Sequence, residues 1–263
     1  MRTITFIGNG NMGLSIASGL KGKYHIEVVG RNMTNLKDFE TRLEAKVDKH
    51  LMKDFDITGK TVLLCVKPSN VEEIAKQLHG KADLLISVLA GVPIKVLKKH
   101  FKPKAVVRSM PNLAASIGKS ITTLTGDAKG KEEATVILNA VGDTLWLGSE
   151  KEIDVATALA GSGPAYLALV SEALADGAVK QGLKREDAMT TMRGLFSGFD
   201  TLIQDMHPAL LKDAVMSPGG TTAAGYGALE EGNVRASFMA AIEKAYEKAK
   251  VLGVCRTHPS KRG

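Results

Sequence analysis

The chain has 263 residues, of which 44% are hydrophobic and 24% charged, the mixture of an ordinary soluble globular protein. Its net charge is +7, but the lysines are scattered and form no basic arm, and aromatic residues make up only 5%. This composition argues against nucleic acid as a partner and favours a solvated basic surface or a small anionic ligand.

Short apolar runs in the first half of the chain predict strands, and most are followed by a break and an amphipathic stretch. Such strands alternating with helices indicate a mainly parallel sheet that is covered on both faces. The runs are TITFIG, IEVVG, TVLLCV, DLLISVLAG, AVVRSM, SITTLTG and DTLWLG, with a helix near residues 130–141 between the last two.

The first strand ends in FIGNGNMG, which places Gly8, Gly10 and Gly13 in the G-x-G-x-x-G pattern at the start of a helix. The first glycine permits a tight turn, the second lets a pyrophosphate approach the backbone, and the third lets helix and strand pack closely. The helix N-terminus also faces the anion. Because a second strand follows at the right distance, this pattern predicts a dinucleotide site.

The end of the second strand indicates which dinucleotide binds. NAD enzymes usually carry Asp or Glu there to hold the ribose hydroxyls, whereas this chain has Gly30, Arg31 and Asn32. An arginine without a neighbouring carboxylate favours a 2′-phosphate, and therefore NADPH, with NADH as the alternative. The competing interpretation is that Arg31 is an ordinary surface residue.

Later strands end on the same predicted rim, because the carboxyl ends of strands face the ligand crevice in a doubly wound sheet. Their final segments are CVKPSN, LAGV over residues 89–92 and RSMPN over residues 108–112. Lys67 is expected either to approach the cofactor or to be a solvated loop lysine.

After Gly148 the sequence shows no convincing strand, and apolar residues recur at helical spacing. Pro164 suits the first turn of one helix and Gly182 its C-terminal end. We therefore predict a Rossmann domain over residues 1–149, an all-α domain over 150–253 and a tail over 254–263. The many apolar helix faces favour interleaving with a second copy over a compact monomeric bundle.

Localisation is indicated by the cysteines and the N-terminus. Cys65 lies in an apolar run and Cys255 near the end, so they form no disulfide framework and fit a reducing cytoplasm. The chain enters a strand directly, and we expect neither a signal peptide nor a membrane span. The six histidines have no metal-binding spacing, so no metal is expected.

The segment SPGGTT, residues 217–222, interrupts the helical half. Inside a helix, glycine and proline cost roughly 1 and 3 kcal/mol relative to alanine, so the break indicates a deliberate turn. Successive N–H groups at a glycine-rich turn and helix N-terminus form an anion site. The alternative is a structural helix–helix turn with Thr221 or Thr222 as the N-cap.

These motifs resemble those of pyrroline-5-carboxylate reductases along residues 3–252. The resemblance rests on FIGNGNMG, VKP, AGV, MPN, GSGPAY over 161–166 and, most specifically, LLKDAVMSPGGTTAAGYGALEEG over 210–232. It implies a Rossmann domain followed by a helical domain that interleaves with a partner. It also implies that NADPH reduces the cyclic imine 1-pyrroline-5-carboxylate to L-proline, the last step of proline biosynthesis.

The resemblance also implies site residues. The cofactor residues are Gly8, Asn9, Gly10, Asn11 and Met12 in the loop, Arg31 and Asn32 beside the adenosine ribose, and Val66, Lys67, Pro68, Ala90 and Gly91 toward the nicotinamide, with Asn112 on the same rim. The substrate carboxylate is expected on Gly219, Gly220, Thr221 and Thr222, with Ser217 in the same turn. Thr222 is our candidate partner for the ring nitrogen, with water or a preprotonated substrate supplying the proton.

Two rival functions fit less well. A β-hydroxyacid dehydrogenase would carry a catalytic lysine in its helical domain, but Lys180 and Lys212 lack that family's surroundings. A non-catalytic NADP sensor would keep the glycine loop but would have no need of SPGGTT.

Overall fold

The computed structural model describes residues 1–254, with side chains described as far as Val251. Two compact units are present: the first is Met1–Ser162 together with the residues from Lys244 onward, and the second is Gly163–Glu243. Apart from Val254, the predicted tail over 254–263 lies outside the described residues. The domain boundary after residue 149 stays a prediction.

Strands and helices alternate in the first part of the chain, and helices alone follow. The strands are β1 (Thr3–Ile7), β2 (His25–Gly30), β3 (Asp48–Leu51), β4 (Phe55–Asp56), β5 (Thr61–Leu64), β6 (Leu78–His79), β7 (Leu84–Ser87), β8 (Ala105–Met110), β9 (Ser120–Gly126) and β10 (Gly142–Trp146). The helices are α1 (Asn11–Leu20), α2 (Met33–Leu43), α3 (Val71–Ala75), α4 (Ile94–Phe101), α5 (Ala128–Leu138), α6 (Glu150–Ala156), α7 (Gly163–Lys180), α8 (Arg185–Asp205), α9 (Pro208–Val215), α10 (Thr221–Glu231) and α11 (Val234–Val254).

The main sheet has eight strands in the order β10-β9-β8-β7-β5-β1-β2-β3. Neighbours pair in parallel throughout except for β8 and β9, which are antiparallel, so β9 and β10 run opposite to the other six strands. The short strands β4 and β6 form a separate parallel pair. The predicted fold class, a mainly parallel doubly wound sheet followed by an all-α region, is confirmed.

Two apolar clusters fill the two faces of this sheet. Because successive side chains of a strand point to opposite faces, Phe6 joins the cluster that contains Ile16 and Phe39, whereas Ile7 joins the cluster that contains Leu97. Burial on both faces explains why the strands read as almost continuous apolar runs.

All seven strands predicted from apolar runs are present, as β1, β2, β5, β7, β8, β9 and β10. Strands β3, β4 and β6 were not predicted, because DKHL, FD and LH are short and partly polar and carry no apolar run. The antiparallel pairing of β9 with β8 could not be predicted from the apolar pattern either, because a buried strand is apolar in whichever direction it runs.

A buried arginine links the sheet to the first helix after it. Arg108 of β8 has a side chain that is only 3% exposed, and its Nη1 and Nη2 lie 2.8 Å from Glu150 and 2.8 Å from Asp154 of α6. Glu150 also accepts the N–H of Ile94 at 2.9 Å. These ion pairs fix the start of α6 on the sheet.

The second unit buries few of its own apolar side chains. Within Gly163–Glu243, all of it described, the buried apolar residues are Ala175, Ala188 and Leu211. Large exposed apolar residues are far more numerous: Leu167, Leu169, Leu174, Leu183, Leu195, Phe199, Leu202, Leu210, Val215, Leu229, Phe238 and Met239. Such a surface needs a covering partner.

One long helix qualifies as a candidate membrane span. Helix α6 continues through a π-helical turn, Thr157–Gly161, into α7, so that the helix covers Glu150–Lys180. By length and composition alone it is apolar enough to cross a bilayer, and the most apolar part is only 11% buried. Core helices of soluble proteins have the same length and composition, so the expectation of no membrane span stays a prediction.

Candidate cofactor and substrate sites

A cleft of about 540 Å³ lies in the first unit, lined largely by residues at and just beyond the carboxyl ends of β1, β2, β3 and β5. The strand order reverses here, with β2 on one side of β1 and β5 on the other, which is where open α/β sheets bind ligands. The cleft is lined by Gly8, Asn9, Gly10, Gly30, Arg31, Met52, Cys65, Val66, Lys67, Ser69, Asn70 and Ile74. Its volume falls within the range of cofactor sites, about 300–1,000 Å³.

The turn after β1 requires glycine at its first position. Gly8 has φ +105°, and a Cβ there would lie 2.7 Å from the carbonyl oxygen of Cys65. Its N–H donates to the carbonyl of Val29 at 2.9 Å. At Gly13, a Cβ would lie 3.2 Å from the carbonyl oxygen of Gly8, so α1 packs closely on the turn. These contacts agree with the roles expected of the first and third glycines.

The start of α1 offers hydrogen-bond donors to an anion. Gly10 is the N-cap, and a Cβ placed on it would meet no atom within 4 Å, so a ligand can approach the backbone. The first helical bond joins the N–H of Leu14 to the carbonyl of Gly10 at 3.0 Å. Among the described residues, no acceptor contacts the N–H groups of Asn11, Met12 or Gly13. Three such donors at a helix N-terminus fit a pyrophosphate.

Charge in the cleft is positive. Arg31 and Lys67 are both exposed, and within the described part of the chain neither side chain has a hydrogen-bond or ion-pair partner. The residues lining the cleft include no carboxylate. The glycine turn, the free N–H groups and the two cations therefore fit a dinucleotide phosphate ligand.

Cys65 lies in the cleft wall with its thiol in an apolar environment. Burial raises the pKa of this thiol from 9.0 to about 12, so it is fully protonated at neutral pH. Its side chain therefore adds no charge to the cleft and is a poor nucleophile.

Of the predicted cofactor residues, six line the cleft: Gly8, Asn9, Gly10, Arg31, Val66 and Lys67. Seven others do not line it, namely Asn11, Met12, Asn32, Pro68, Ala90, Gly91 and Asn112.

Two of these seven side chains already serve the fold. Asn32 caps α2, with its Oδ1 accepting the N–H of Thr34 at 2.7 Å. Asn112 likewise accepts the N–H of Ala114 at 3.1 Å and donates to the carbonyl of Ala160 at 3.3 Å. A direct cofactor contact for these two residues stays a prediction.

Six lining residues were not among the predicted cofactor residues: Gly30, Met52, Cys65, Ser69, Asn70 and Ile74. Ser69 and Asn70 directly follow Pro68 in the CVKPSN segment, so their position after a strand was a usable signal. Met52 follows β3, whose polar sequence hid the strand and therefore its carboxyl end.

The SPGGTT segment forms the turn between α9 and α10 in the second unit. Gly219 has φ +70°, and the N–H of Gly220 donates to the carbonyl of Ser217 at 3.1 Å. A Cβ on Gly220 would lie 2.5 Å from the Ser217 Oγ, which would have to rotate away, and 3.2 Å from the Ser217 carbonyl oxygen. The positive φ of Gly219 is therefore the stronger requirement for glycine in this turn.

The N-cap of α10 is Gly220, and neither threonine fills that position. The first helical bond joins the N–H of Ala224 to the carbonyl of Gly220 at 3.2 Å. Among the described residues, the N–H groups of Thr221, Thr222 and Ala223 and both threonine hydroxyls have no partner. These donors leave the turn able to bind an anion, and no threonine hydroxyl competes for them.

Side chains tie α10 to both neighbouring helices. The Tyr226 hydroxyl donates to Glu230 at 2.7 Å, and Arg235 of α11 pairs with the same carboxylate. Hydrogen bonds from Arg235 and then from Tyr226 hold the pKa of Glu230 below its usual value. Lys212 of α9 lies 5.6 Å from the centre of the Tyr226 ring. Its hydrogen bond with Asp213 raises the pKa of Lys212, which is therefore a cation at neutral pH.

The doubly wound sheet, the glycine turn and the cationic cleft define a dinucleotide-binding protein of the Rossmann class. Two family models match the chain. "NADP oxidoreductase coenzyme F420-dependent" matches residues 3–91, and "Pyrroline-5-carboxylate reductase dimerisation" matches residues 150–252.

Curated relatives match along nearly the whole chain. The pyrroline-5-carboxylate reductase of Thermus thermophilus is 35% identical over 95% of this chain and 98% of its own length. That of Synechocystis is 38% identical over 74% of this chain and 76% of its own. The chain belongs to the pyrroline-5-carboxylate reductase family, so the resemblance stated from the sequence is confirmed.

Solved structures agree. A pyrroline-5-carboxylate reductase from Coxiella burnetii superimposes with a TM-score of 0.79 at 32% identity, covering 95% of this chain and 97% of the other. A pyrroline carboxylate reductase from Plasmodium falciparum, solved with NADP bound, gives 0.78 at 27% identity, covering 96% of this chain and 100% of the other.

Proposed function

We propose that this protein reduces the cyclic imine 1-pyrroline-5-carboxylate to L-proline with NADPH, the last step of proline biosynthesis. The observation that carries the proposal is the 35% identity to a named pyrroline-5-carboxylate reductase over 95% of the chain. The activity and the nicotinamide cofactor predicted from the sequence agree with the names of these relatives and with the NADP in a neighbouring structure. The preference for NADPH over NADH stays a prediction.

The cleft of the first unit is assigned to the cofactor. Gly8, Asn9 and Gly10 line it beside the free N–H groups of α1, which suits the pyrophosphate. Arg31, exposed and unpaired among the described residues, is assigned to the 2′-phosphate of NADPH. The nicotinamide side is assigned to Val66, Lys67, Pro68, Ala90, Gly91 and Asn112. When bound, the reduced nicotinamide supplies a hydride to the imine carbon.

The SPGGTT turn is assigned to the substrate carboxylate. Ser217, Gly219, Gly220, Thr221 and Thr222 form this turn, and among the described residues the N–H groups of Thr221 and Thr222 have no partner. Backbone donors of this kind bind a carboxylate without a cationic side chain. The assignment is supported by the absence of a threonine N-cap, which leaves both hydroxyls available.

Thr222 is assigned to the ring nitrogen of the substrate. A threonine hydroxyl is a poor acid at neutral pH, so its role is to accept or donate one hydrogen bond and orient the imine. The proton on the nitrogen then comes from water or from substrate that is already protonated.

The working protein is proposed to be a cytoplasmic homodimer or a larger homo-oligomer. The dimerisation model matches residues 150–252, and most of the large apolar side chains that are exposed among the described residues lie in this region. A second copy covering these faces, including the long helix Glu150–Lys180, accounts for their composition without a bilayer.

One assay tests the reaction. Purified protein is mixed with NADPH and 1-pyrroline-5-carboxylate, and the decay of NADPH absorbance and the formation of proline are both measured. We expect proline in equal amount to the NADPH consumed, and no formation of NADPH when small hydroxy acids are supplied with NADP. Turnover of a hydroxy acid with no proline formation would instead support the β-hydroxyacid dehydrogenase alternative.

A further inference from the structure

Asn70 lines the cofactor cleft, yet its side chain serves neither the turn nor the helix that carry it. It ends the 3₁₀ turn Pro68–Asn70 and occupies the N-cap position of α3, where an asparagine normally accepts a backbone N–H. No such bond forms, and its own N–H donates to the carbonyl of Lys67 at 2.9 Å. The side-chain amide is therefore free for another partner.

Ser69 determines which end of this amide is free. The Ser69 hydroxyl lies 3.1 Å from Oδ1 of Asn70 and donates to it. Among the described residues, no acceptor contacts Nδ2 of Asn70, which carries two N–H donors. Both residues line the cleft, so the unpaired donors belong to its wall.

The neighbouring lining residues indicate which half of a dinucleotide this wall meets. The glycine turn after β1 takes the pyrophosphate, and Arg31 marks the ribose phosphate at the end of β2. Met52 lies beyond it in the strand order, after β3. Met52 and Ile74 are each only 2% exposed and share one apolar cluster, which suits a flat apolar ring. Asn70 lies four residues before Ile74, so both can line the cleft from one side of α3.

We propose that Asn70, held by Ser69, donates a hydrogen bond to the adenosine half of the dinucleotide, against an apolar wall formed by Met52 and Ile74. Adenine ring nitrogens and ribose oxygens are both acceptors for such a donor. The inference rests on the proposed function of the cleft as the NADPH site, but not on the identity of the imine.

Calorimetric titration with the two halves of the cofactor tests this role. The probes are 2′,5′-ADP for the adenosine half and reduced nicotinamide mononucleotide for the other. Asn70→Ala should lower the affinity for 2′,5′-ADP about three- to tenfold, which is the contribution of one hydrogen bond between neutral groups. The affinity for the mononucleotide should be unchanged. Asn70→Asp should lower the affinity for 2′,5′-ADP further, because a carboxylate replaces the donors near the phosphates. Glu73→Ala, on α3 but outside the cleft lining, is the control and should bind both probes normally.

The outcomes separate this inference from the proposed reaction. Unchanged 2′,5′-ADP affinity in a folded Asn70→Ala variant, or a loss confined to the mononucleotide, would overturn it. If Asn70→Ala proves unstable, Ser69→Ala carries the test: about a twofold loss supports the role and unchanged affinity contradicts it. Wild-type protein that binds 2′,5′-ADP but makes no proline would refute the reaction alone.

Discussion

Arg31 directly follows β2 and has an exposed guanidinium that no described carboxylate neutralises. A charge-assisted hydrogen bond to a 2′-phosphate contributes about 1.5–3 kcal/mol, or about 10- to 150-fold in affinity. We expect Arg31→Asp to lower the affinity for NADPH by at least this factor and the affinity for NADH far less, as measured by calorimetry. Lys37→Asp, an exposed charge reversal on α2, is the control. Equal loss for the two cofactors would mean that Arg31 does not contact the phosphate.

Thr222 follows the glycine turn with an exposed hydroxyl that has no partner among the described residues. We expect Thr222→Ala to keep the fold and NADPH affinity but to lower turnover about 10- to 150-fold, the cost of one hydrogen bond to a charged nitrogen. Removal of a general acid could cost up to about 10⁴-fold. Steady-state kinetics therefore distinguish orientation from proton donation.

Two further variants complete this test. Thr222→Ser should restore most of the turnover, because it restores the hydroxyl. Thr191→Ala, an exposed threonine of α8, should behave as wild type. Normal turnover in a folded Thr222→Ala variant would remove this residue from the mechanism.

Cys65 should react slowly with alkylating reagents, although it lies in the cleft wall. Burial raises the pKa of its thiol from 9.0 to about 12, and the thiolate is the reactive form. The raised pKa lowers the thiolate fraction of Cys65 at pH 8. In a Cys255→Ser variant, iodoacetamide should therefore alkylate Cys65 about 10³-fold more slowly in the folded protein than in protein unfolded by urea. The rate should keep rising past pH 10; a rate that is half-maximal near pH 9 and level above pH 10 would contradict the raised pKa.

The cofactor residues were predictable where backbone geometry dictates the residue type, and less so elsewhere. Gly8 could be identified because only glycine suits its positive φ and its closeness to Cys65. The position of Asn70 after a strand was a usable signal, but its role was not predictable, because nothing in a sequence tells an asparagine that caps a helix from one whose amide faces a cleft. Asn32 is the opposite example, because it was predicted to contact the cofactor but its side chain caps α2.

At the scale of elements, the buried link between β8 and α6 should matter most for stability. Arg108→Ala would leave Glu150 and Asp154 without their cation, and breaking a buried pair on one side costs about 3–5 kcal/mol. We expect the free energy of unfolding, measured by urea denaturation, to fall toward this range, with a somewhat smaller loss because both carboxylates are partly exposed. Arg185→Ala removes an exposed pair with Asp176 and should cost less than about 1 kcal/mol. Similar losses in the two variants would refute a structural role for the buried pairs.

Elements could be predicted from the sequence where burial imposes a pattern. Strands such as TVLL of β5 are covered on both faces and so must be apolar throughout. Strand β3, with the sequence DKHL, is an edge strand whose residues are exposed or half-buried, so no apolar run marks it. Strand direction could not be predicted either, because β9 would be equally buried whether it ran parallel or antiparallel to its neighbour.

For the whole molecule, the exposed apolar faces of the second unit predict self-association. Leu169 and Phe238 line an apolar groove of about 590 Å³ within this unit. We expect light scattering at micromolar concentration to give at least a dimer. Leu169→Asp should lower the mass by placing a charge in the interface, whereas Val136→Asp, on the exposed surface of α5, should not. A wild-type monomer with full activity would refute this assembly.

The unpaired cations of the cleft also determine how quickly a cofactor arrives. Anionic phosphates approaching from solution are attracted by Arg31 and Lys67 before any close contact forms, and the net charge of +7 adds to this attraction. Screening shortens the reach of that field from about 10 Å at 0.1 M salt to about 3 Å at 1 M. The association rate should therefore fall with ionic strength, whereas escape from the cleft, governed by short contacts, should change little. Capture of the dinucleotide is thus a long-range property of the surface, separate from the hydrogen bonds that later retain it.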